Sequence, residues 1–252
     1  MPVVNIWDGF TQAMTVDDLH PNLIGADFIQ SRCVPIINAN FEFFVVPLPT
    51  DAADLYSAIR PFGCLNANPL LAGTTGAINA SVNPVAGSVL ADSHKATGSG
   101  LAGVSTRWYK EPAAFGEAQC IDLSGTLASA GGYIYVQPAA NLTLSNLAVG
   151  DVIEMVAAPE IVGTTRGILG WEAELIITKP IAGASSLVYC LSMDEYQEPF
   201  TLPANWKGAL ETQRYSFDLT ETVISWRMGL YLAAGVAFDS KVKVGQIGVT
   251  KV

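Results

Sequence analysis

The chain holds two histidines, and each stands close to a carboxylate. An imidazole acts as a general base when a carboxylate fixes one ring nitrogen and a nucleophile lies within hydrogen-bond reach of the other. In Thr15-Val-Asp-Asp-Leu-His-Pro-Asn-Leu-Ile-Gly-Ala26 that pair is Asp17 and His20. Asp17 would orient the ring and His20 would take the proton. Asp92-Ser93-His94 puts the three residue types of a hydrolytic triad side by side. Neighbouring side chains on an extended segment point to opposite faces, so these three cannot converge. Gly98-Ser-Gly-Leu-Ala-Gly103 fits a dinucleotide-binding turn by letter. That turn needs an entering strand and a leaving helix whose N-terminus holds the pyrophosphate. Here Ala91–Thr97 is polar and Val104–Tyr109 reads as a strand before Pro112, so the stretch is a loop and no cofactor is expected.

Cys33, Cys64, Cys120 and Cys190 lie far apart with no Cys-x-x-Cys pair, which argues against metal knuckles and thioredoxin-type redox sites. Buried thiols in a reducing compartment are expected, and no metal. Asn79-Ala-Ser81 and Asn141-Leu-Thr143 match the glycosylation pattern only by chance if no secretory signal is present. The remaining residues with binding chemistry are aromatic: Trp108, Tyr109, Tyr133, Tyr135, Trp171, Trp206, Trp226 and Tyr231. Such rings can stack on sugars, but tryptophans on alternating strands usually fill the core, and Trp171 and Trp226 are assigned there. Trp206, in the loop Leu202–Gly208, is the candidate ligand-binding ring; its other reading is a plug over the core.

The elements that must carry these residues change character along the chain. Residues 1–41 run from an apolar start through a polar loop into a helix expected from Asn22 to about Ile37, ended by Pro35. Residues 42–65 read as a connector, with a short strand at Phe43–Val46 and a helix over Asp51–Ile59, capped by Thr50 or Asp51. Residues 66–252 show period-two patterning. Trp171, Ala173, Leu175 and Ile177 face one way, and Glu172, Glu174 and Thr178 face the other. Ile224, Trp226, Met228, Leu230 and Leu232 alternate with Ser225, Arg227 and Gly229 in the same manner. Further strands are expected near 87–92, 101–109, 116–122, 131–137, 151–158, 185–193 and 212–218. In the last strand Val242 and Val244 share one parity, while Ile247 and Val249 take the other, so a bulge is expected at Gly245–Gln246. The fold class is mainly β: an antiparallel β-sandwich, or jelly roll, with a short helical N-terminal appendage.

The block around His20 resembles the final conserved block of SGNH hydrolases, the GDSL-type esterases. In that block an Asp-x-x-His pair is followed by Pro, Asn and Gly-Ala; Trp7-Asp8-Gly9 is similar to its lead-in. The resemblance covers about residues 5–40 and implies His20 as general base, Asp17 as its orienter and a closing helix. Asp18 stands where the family commonly has Gly. The family's Gly-Asp-Ser nucleophile motif is absent from the chain, as are its oxyanion-hole Gly and Asn blocks. Asp17 and His20 are therefore remnants with structural hydrogen bonds, half of a composite site completed by another chain's serine, or a chance match. The sandwich, from Asn66-Ala-Asn-Pro69 to Lys243–Lys251, resembles the jelly rolls of carbohydrate-binding modules. Such modules follow SGNH-type domains, and both occur in phage tail and virion proteins.

A net charge of -10, with 13 Lys and Arg scattered singly, excludes a nucleic-acid surface, which needs clustered cations. No window holds the ~18 unbroken apolar residues of a membrane span, and no basic-then-apolar start marks a signal peptide. These features suggest synthesis in the cytoplasm and residence on a virion or extracellular particle surface. The expectation is a non-catalytic structural or binding protein, a phage or virion decoration or fibre subunit. Its partners would be other protein subunits, in a homo-oligomer or particle, or a glycan. The alternatives are the C-terminal part of a split SGNH esterase acting on acylated polysaccharide and a picorna-like capsid jelly roll.

Overall fold

A computed structural model describes residues 10–14, 29, 48–129, 131–180 and 204–252, and the backbone of 183–190. The chain divides into two compact units, Met1–Val45 and Val46–Val252. In the first, Gln12–Met14 forms a 3-10 turn and Ile29 is helical. Asp17, His20, the rest of the expected helix and the expected strand at 43–46 lie outside the described residues.

Alternating burial defines the strands of the second unit. They are β1 (Thr75–Ile78), β2 (Leu90–Ser99), β3 (Val104–Pro112), β4 (Glu117–Thr126), β5 (Gly132–Pro138) and β6 (Val152–Val162). They continue as β7 (Ile168–Lys179), β8 (Gly183–Cys190), β9 (Leu210–Glu211), β10 (Tyr215–Ser216), β11 (Val223–Leu232) and β12 (Ala237–Lys251). Sheet one runs β1-β2-β5-β11-β7-β8; sheet two runs β10-β6-β12-β4-β3, with β9 also on the β6 edge. All pairs are antiparallel except β1 with β2. The chain changes sheet between β2 and β3, β4 and β5, β5 and β6, β6 and β7, β8 and β9, β10 and β11, and β11 and β12, wrapping one sheet onto the other as a jelly-roll sandwich.

The core lies between the sheets, where Trp108, Trp171 and Trp226 are fully buried with Leu175, Ile121, Met155 and Val249. Burying each such side chain contributes about 1.5–3 kcal/mol. Trp108 donates its indole hydrogen to Thr106 Oγ1 at 2.7 Å, and Thr106 donates in turn to the Val82 carbonyl. The indole nitrogens of Trp171 and Trp226 have no hydrogen-bond partner among the described residues, so these rings are held by packing alone. β12 shifts register between Val244 and Ile247, which returns Ile247 and Val249 to the core side, as their parity predicts.

Three local expectations need correction. Residues 51–63 form turns rather than a helix: Asp51 Oδ1 accepts from Ala53 N at 2.8 Å, and Leu55 bridges Cys64 in parallel. Nine residues with only Leu55 and Ile59 apolar at helical spacing bury too little to sustain a helix, and both are exposed. Ala91–Thr97 is polar in places yet belongs to β2, because His94 and Ala96 turn inward while Lys95 stays exposed. In Gly98–Gly103, expected as a loop throughout, Gly98 and Ser99 end β2, and Gly100–Gly103 is the turn that carries the chain from sheet one to sheet two. Gly103 has φ 87, and a Cβ there would stand 2.2 Å from the Thr126 carbonyl oxygen. Asn79 also has a structural use: it accepts from Ser81 N and caps the 3-10 turn Ala80–Val82.

Candidate functional site

Sheet one turns one face to the core between the sheets; on its other face Glu172, Glu174 and Gly229 are buried and Tyr133, Tyr135 and Tyr231 are half-buried. On that face the register sets Thr97, Tyr135, Gly229 and Glu172 in one row across β2, β5, β11 and β7. The next row holds Ser99, Tyr133, Tyr231 and Gly170. In the row on the other side of Gly229, on this same face, Arg227 stands across from Glu174.

Gly229 lets these side chains meet. A Cβ at this position would come within 2.9 Å of the Tyr135 ring, 3.0 Å of the Tyr231 ring and 3.2 Å of Glu172 Oε2. With hydrogen there instead, Tyr135 and Tyr231 bring their hydroxyls to 3.2 Å, and Tyr231 donates to Glu172. Tyr133 and Tyr135 lie with ring centres 4.5 Å apart, and Tyr231 is 6.3 and 6.2 Å from them. Gln137 Nε2 donates to Thr97 Oγ1 at 2.9 Å beside them.

The charges on this face are fixed. Glu174 is buried and pairs with Arg227, whose guanidinium carbon lies 4.0 Å from the Tyr135 ring centre. The ring–guanidinium contact adds about 0.5–2 kcal/mol. Burial first, then the hydrogen bonds to Glu172 and Tyr135, raises the Tyr231 hydroxyl well above its ordinary value. Burial also raises Tyr135. Both phenols remain neutral donors across the physiological range. The face thus brings together three aromatic rings, two phenol hydroxyls, the Glu172 carboxylate and the Arg227 guanidinium.

Sheet two's outward face is occupied differently. Glu111 pairs with Lys241 and, at 2.8 Å, with Lys243, while Tyr109 donates to Asp122. Residues 49–66 lie along β12: Leu65 N donates to the Val249 carbonyl at 2.7 Å, and Asn66 bonds Ile247 and Val249. At the β6 edge, Glu154 is buried, takes Arg214 Nε at 2.9 Å and is held up to about 7, first by burial and then by Glu211.

The aromatic candidates separate into three groups. Trp108, Trp171 and Trp226 are core, and Tyr109 belongs to sheet two. Trp206 is half-buried at the β6 edge, packed against the core and against Gly208; its carbonyl accepts from Ile161 N at 2.7 Å. Tyr133, Tyr135 and Tyr231 converge on sheet one, away from the sheet that carries Trp206. Sequence reading left out Arg227, Gly229, Glu172 and Glu174 as site residues; the signal was their run of outward positions on two apolar strands. His94 is enclosed against Trp226, ring centres 5.5 Å apart, with Nδ1 2.7 Å from the Asp92 carbonyl. Asp92 is tied instead to Thr75, so its carboxylate serves the loop and not an imidazole. Cys64 and Cys120 are free, buried thiols pushed up to about 12 and about 11 by burial. Among the described residues no group of three metal-ligating side chains gathers, and no helix is long and apolar enough to cross a membrane.

No protein-family model and no curated protein sequence matches this chain. Among solved structures it is similar to the enzymatically active domain of tailspike protein 4 from bacteriophage CBA120 (8% identity, TM-score 0.40). That match covers 64% of this chain and 20% of the tailspike chain. The xylan-binding CBM22-1 domain of Xyn10C from Paenibacillus barcinonensis shares 13% identity at TM-score 0.39, over 76% of this chain and 96% of that one. A family 11 carbohydrate-binding module from Clostridium thermocellum shares 13% at TM-score 0.36, over 63% and 88%. The strand order and register given above define the sandwich independently of these likenesses.

Proposed function

We propose that the sandwich binds a saccharide across β5, β11 and β7 and performs no chemistry on it. The carrying observation is the convergence of Tyr133, Tyr135 and Tyr231 over Gly229, with Glu172 and Arg227 at their edge. Sugar rings present C–H faces that pack on aromatic rings and hydroxyls that need both donors and acceptors, and this face supplies all three. The imidazole of His94 is buried in the core, away from these rings. A glycan array probed with the full chain tests the reading. Binding that is lost in a Tyr133→Ala variant supports it, and an array without signal at high protein concentration contradicts it.

A second reading, attachment to a partner subunit on a phage or virion particle, draws on a different observation. The turn at residues 57–62 holds Ile59 and Phe62 at 91% and 71% exposure. Two large apolar side chains projecting from one turn suit insertion into a neighbour. Light scattering on the full chain should give an assembly that an Ile59→Ser, Phe62→Ser variant loses.

A further inference from the structure

Residues 205–217 form a strap along the outer edge of β6. Asn205 N donates to the Gly163 carbonyl, the Trp206 carbonyl accepts from Ile161 N, and Gly208 N donates to the Pro159 carbonyl. β9 and β10 then pair with β6 in two-residue pieces, and Phe217 N donates to the Asp151 carbonyl at 2.8 Å. Leu210 and Phe217 anchor the strap in the core. Between β9 and β10 the hold is thinner. Thr212 N donates to the Met155 carbonyl and Met155 N returns a bond to Thr212 Oγ1, while Gln213 and Arg214 lie off the ladder.

Glu154 lies at this gap, between Ile153 and Met155, the residues that meet Tyr215 and Thr212. Its side chain is 1% exposed; Oε2 takes Arg214, and Oε1 is buried without a hydrogen-bond partner. Thr250, directly across on β12, has a buried hydroxyl in the same condition. An ionised carboxylate is costly in such a place, and Glu211 on β9 adds a like charge. A proton on Oε1 removes the charge and makes that oxygen a donor. Among the described residues, the other charged groups of the neighbouring elements are engaged elsewhere. Lys251 pairs with Asp151 and lies over Tyr56, Lys179 pairs with Asp218 and Glu221, Tyr215 donates to Glu221, and Arg60 pairs with Asp54. We propose that residues 205–217 are a proton-gated strap. A proton held by the Glu154–Glu211 pair keeps the β6 edge closed, and its loss lets the middle of the strap, around Thr212–Arg214, lift away.

Glu154 is held up to about 7 from an ordinary 4.5, so closing the strap takes up a proton. The closed form is favoured most below pH 4.5 and loses that advantage as pH rises through 7. Amide hydrogen exchange of the full chain, read by mass spectrometry at pH 6 and pH 8 and corrected for intrinsic rates, tests this. Opening over residues 209–216 should rise roughly tenfold between the two. At pH 8 it should also be at least roughly tenfold more frequent than opening over residues 224–231 in β11. Glu154→Gln, alike in shape and uncharged, should abolish the rise. Glu211→Gln, a change at an exposed residue, should shrink it at least roughly twofold with the fold intact. A rise that persists in Glu154→Gln overturns the proposal, as does equal opening in the two segments, which would make the event global. A rise unchanged in Glu211→Gln overturns the shared proton.

Discussion

Arg227 lies over Tyr135 and is held there by Glu174, so a buried carboxylate on β7 sets the position of a ring-stacked guanidinium on β11. Loss of either member leaves a charge without its partner in a largely buried setting. Arg227→Leu or Glu174→Leu alone should each cost about 3 kcal/mol. The double variant should cost clearly less than their sum, because two apolar side chains of similar size can pack together. Urea unfolding of the three variants checks this, and strictly additive losses would contradict the pairing.

Gly229 is the position where the face tolerates no side chain. Gly229→Val would meet Tyr135, Tyr231 and Glu172 together. Overpacking of this kind costs about 1–3 kcal/mol, and the rings can escape only outward, so ligand binding should be abolished while the chain still folds. Near-native affinity in Gly229→Val, measured by calorimetry, would place the ligand elsewhere.

Two buried groups give stability opposite pH dependences. His94 titrates at about 4 when folded, against 6.5 in the open, because burial disfavours the charged ring. The unfolded chain binds the extra proton, so His94's contribution is intact above pH 6.5 and is lost as pH falls toward 4, by about 3 kcal/mol at most. Glu154 is held up to about 7 from an ordinary 4.5, so the folded chain binds the extra proton. Its contribution is fullest below pH 4.5 and declines as pH rises through 7. Denaturation midpoints across pH should lose the acid-side fall in His94→Gln and the neutral-side decline in Glu154→Gln. Profiles superimposable on the parent's would contradict these assignments.

Ester hydrolysis is the property that the block around His20 would lead one to seek. The chain lacks a Gly-Asp-Ser nucleophile motif, so p-nitrophenyl acetate turnover should not exceed that of His20→Ala. Turnover that His20→Ala abolishes would reinstate the hydrolase reading.

Sequence patterning disclosed what depends on parity. Trp171 to Ile177, Ile224 to Leu232 and the bulge after Val244 follow from which neighbours must share a face, and a strand has only two faces. The site depends on register, which no local pattern states. Tyr135 meets Gly229, and Gly229 meets Glu172, only because β5 and β7 flank β11 in one alignment; a slip of one residue would separate them. The tyrosines were visible as candidates, but their partners looked like ordinary outward polar residues. Trp206 was singled out for standing in a loop, yet its ring finds the core and Gly208. The turns at 51–63 looked helical because Leu55 and Ile59 are four apart, a spacing that carries no weight without a surface to bury it.

The central claim is most directly tested by calorimetric titration of the full chain with the saccharide that the array selects, in parallel with Tyr231→Ala and Trp206→Ala. The account predicts at least roughly tenfold weaker binding in Tyr231→Ala and unchanged affinity in Trp206→Ala. Binding that survives loss of Tyr231 and fails with loss of Trp206 would contradict it.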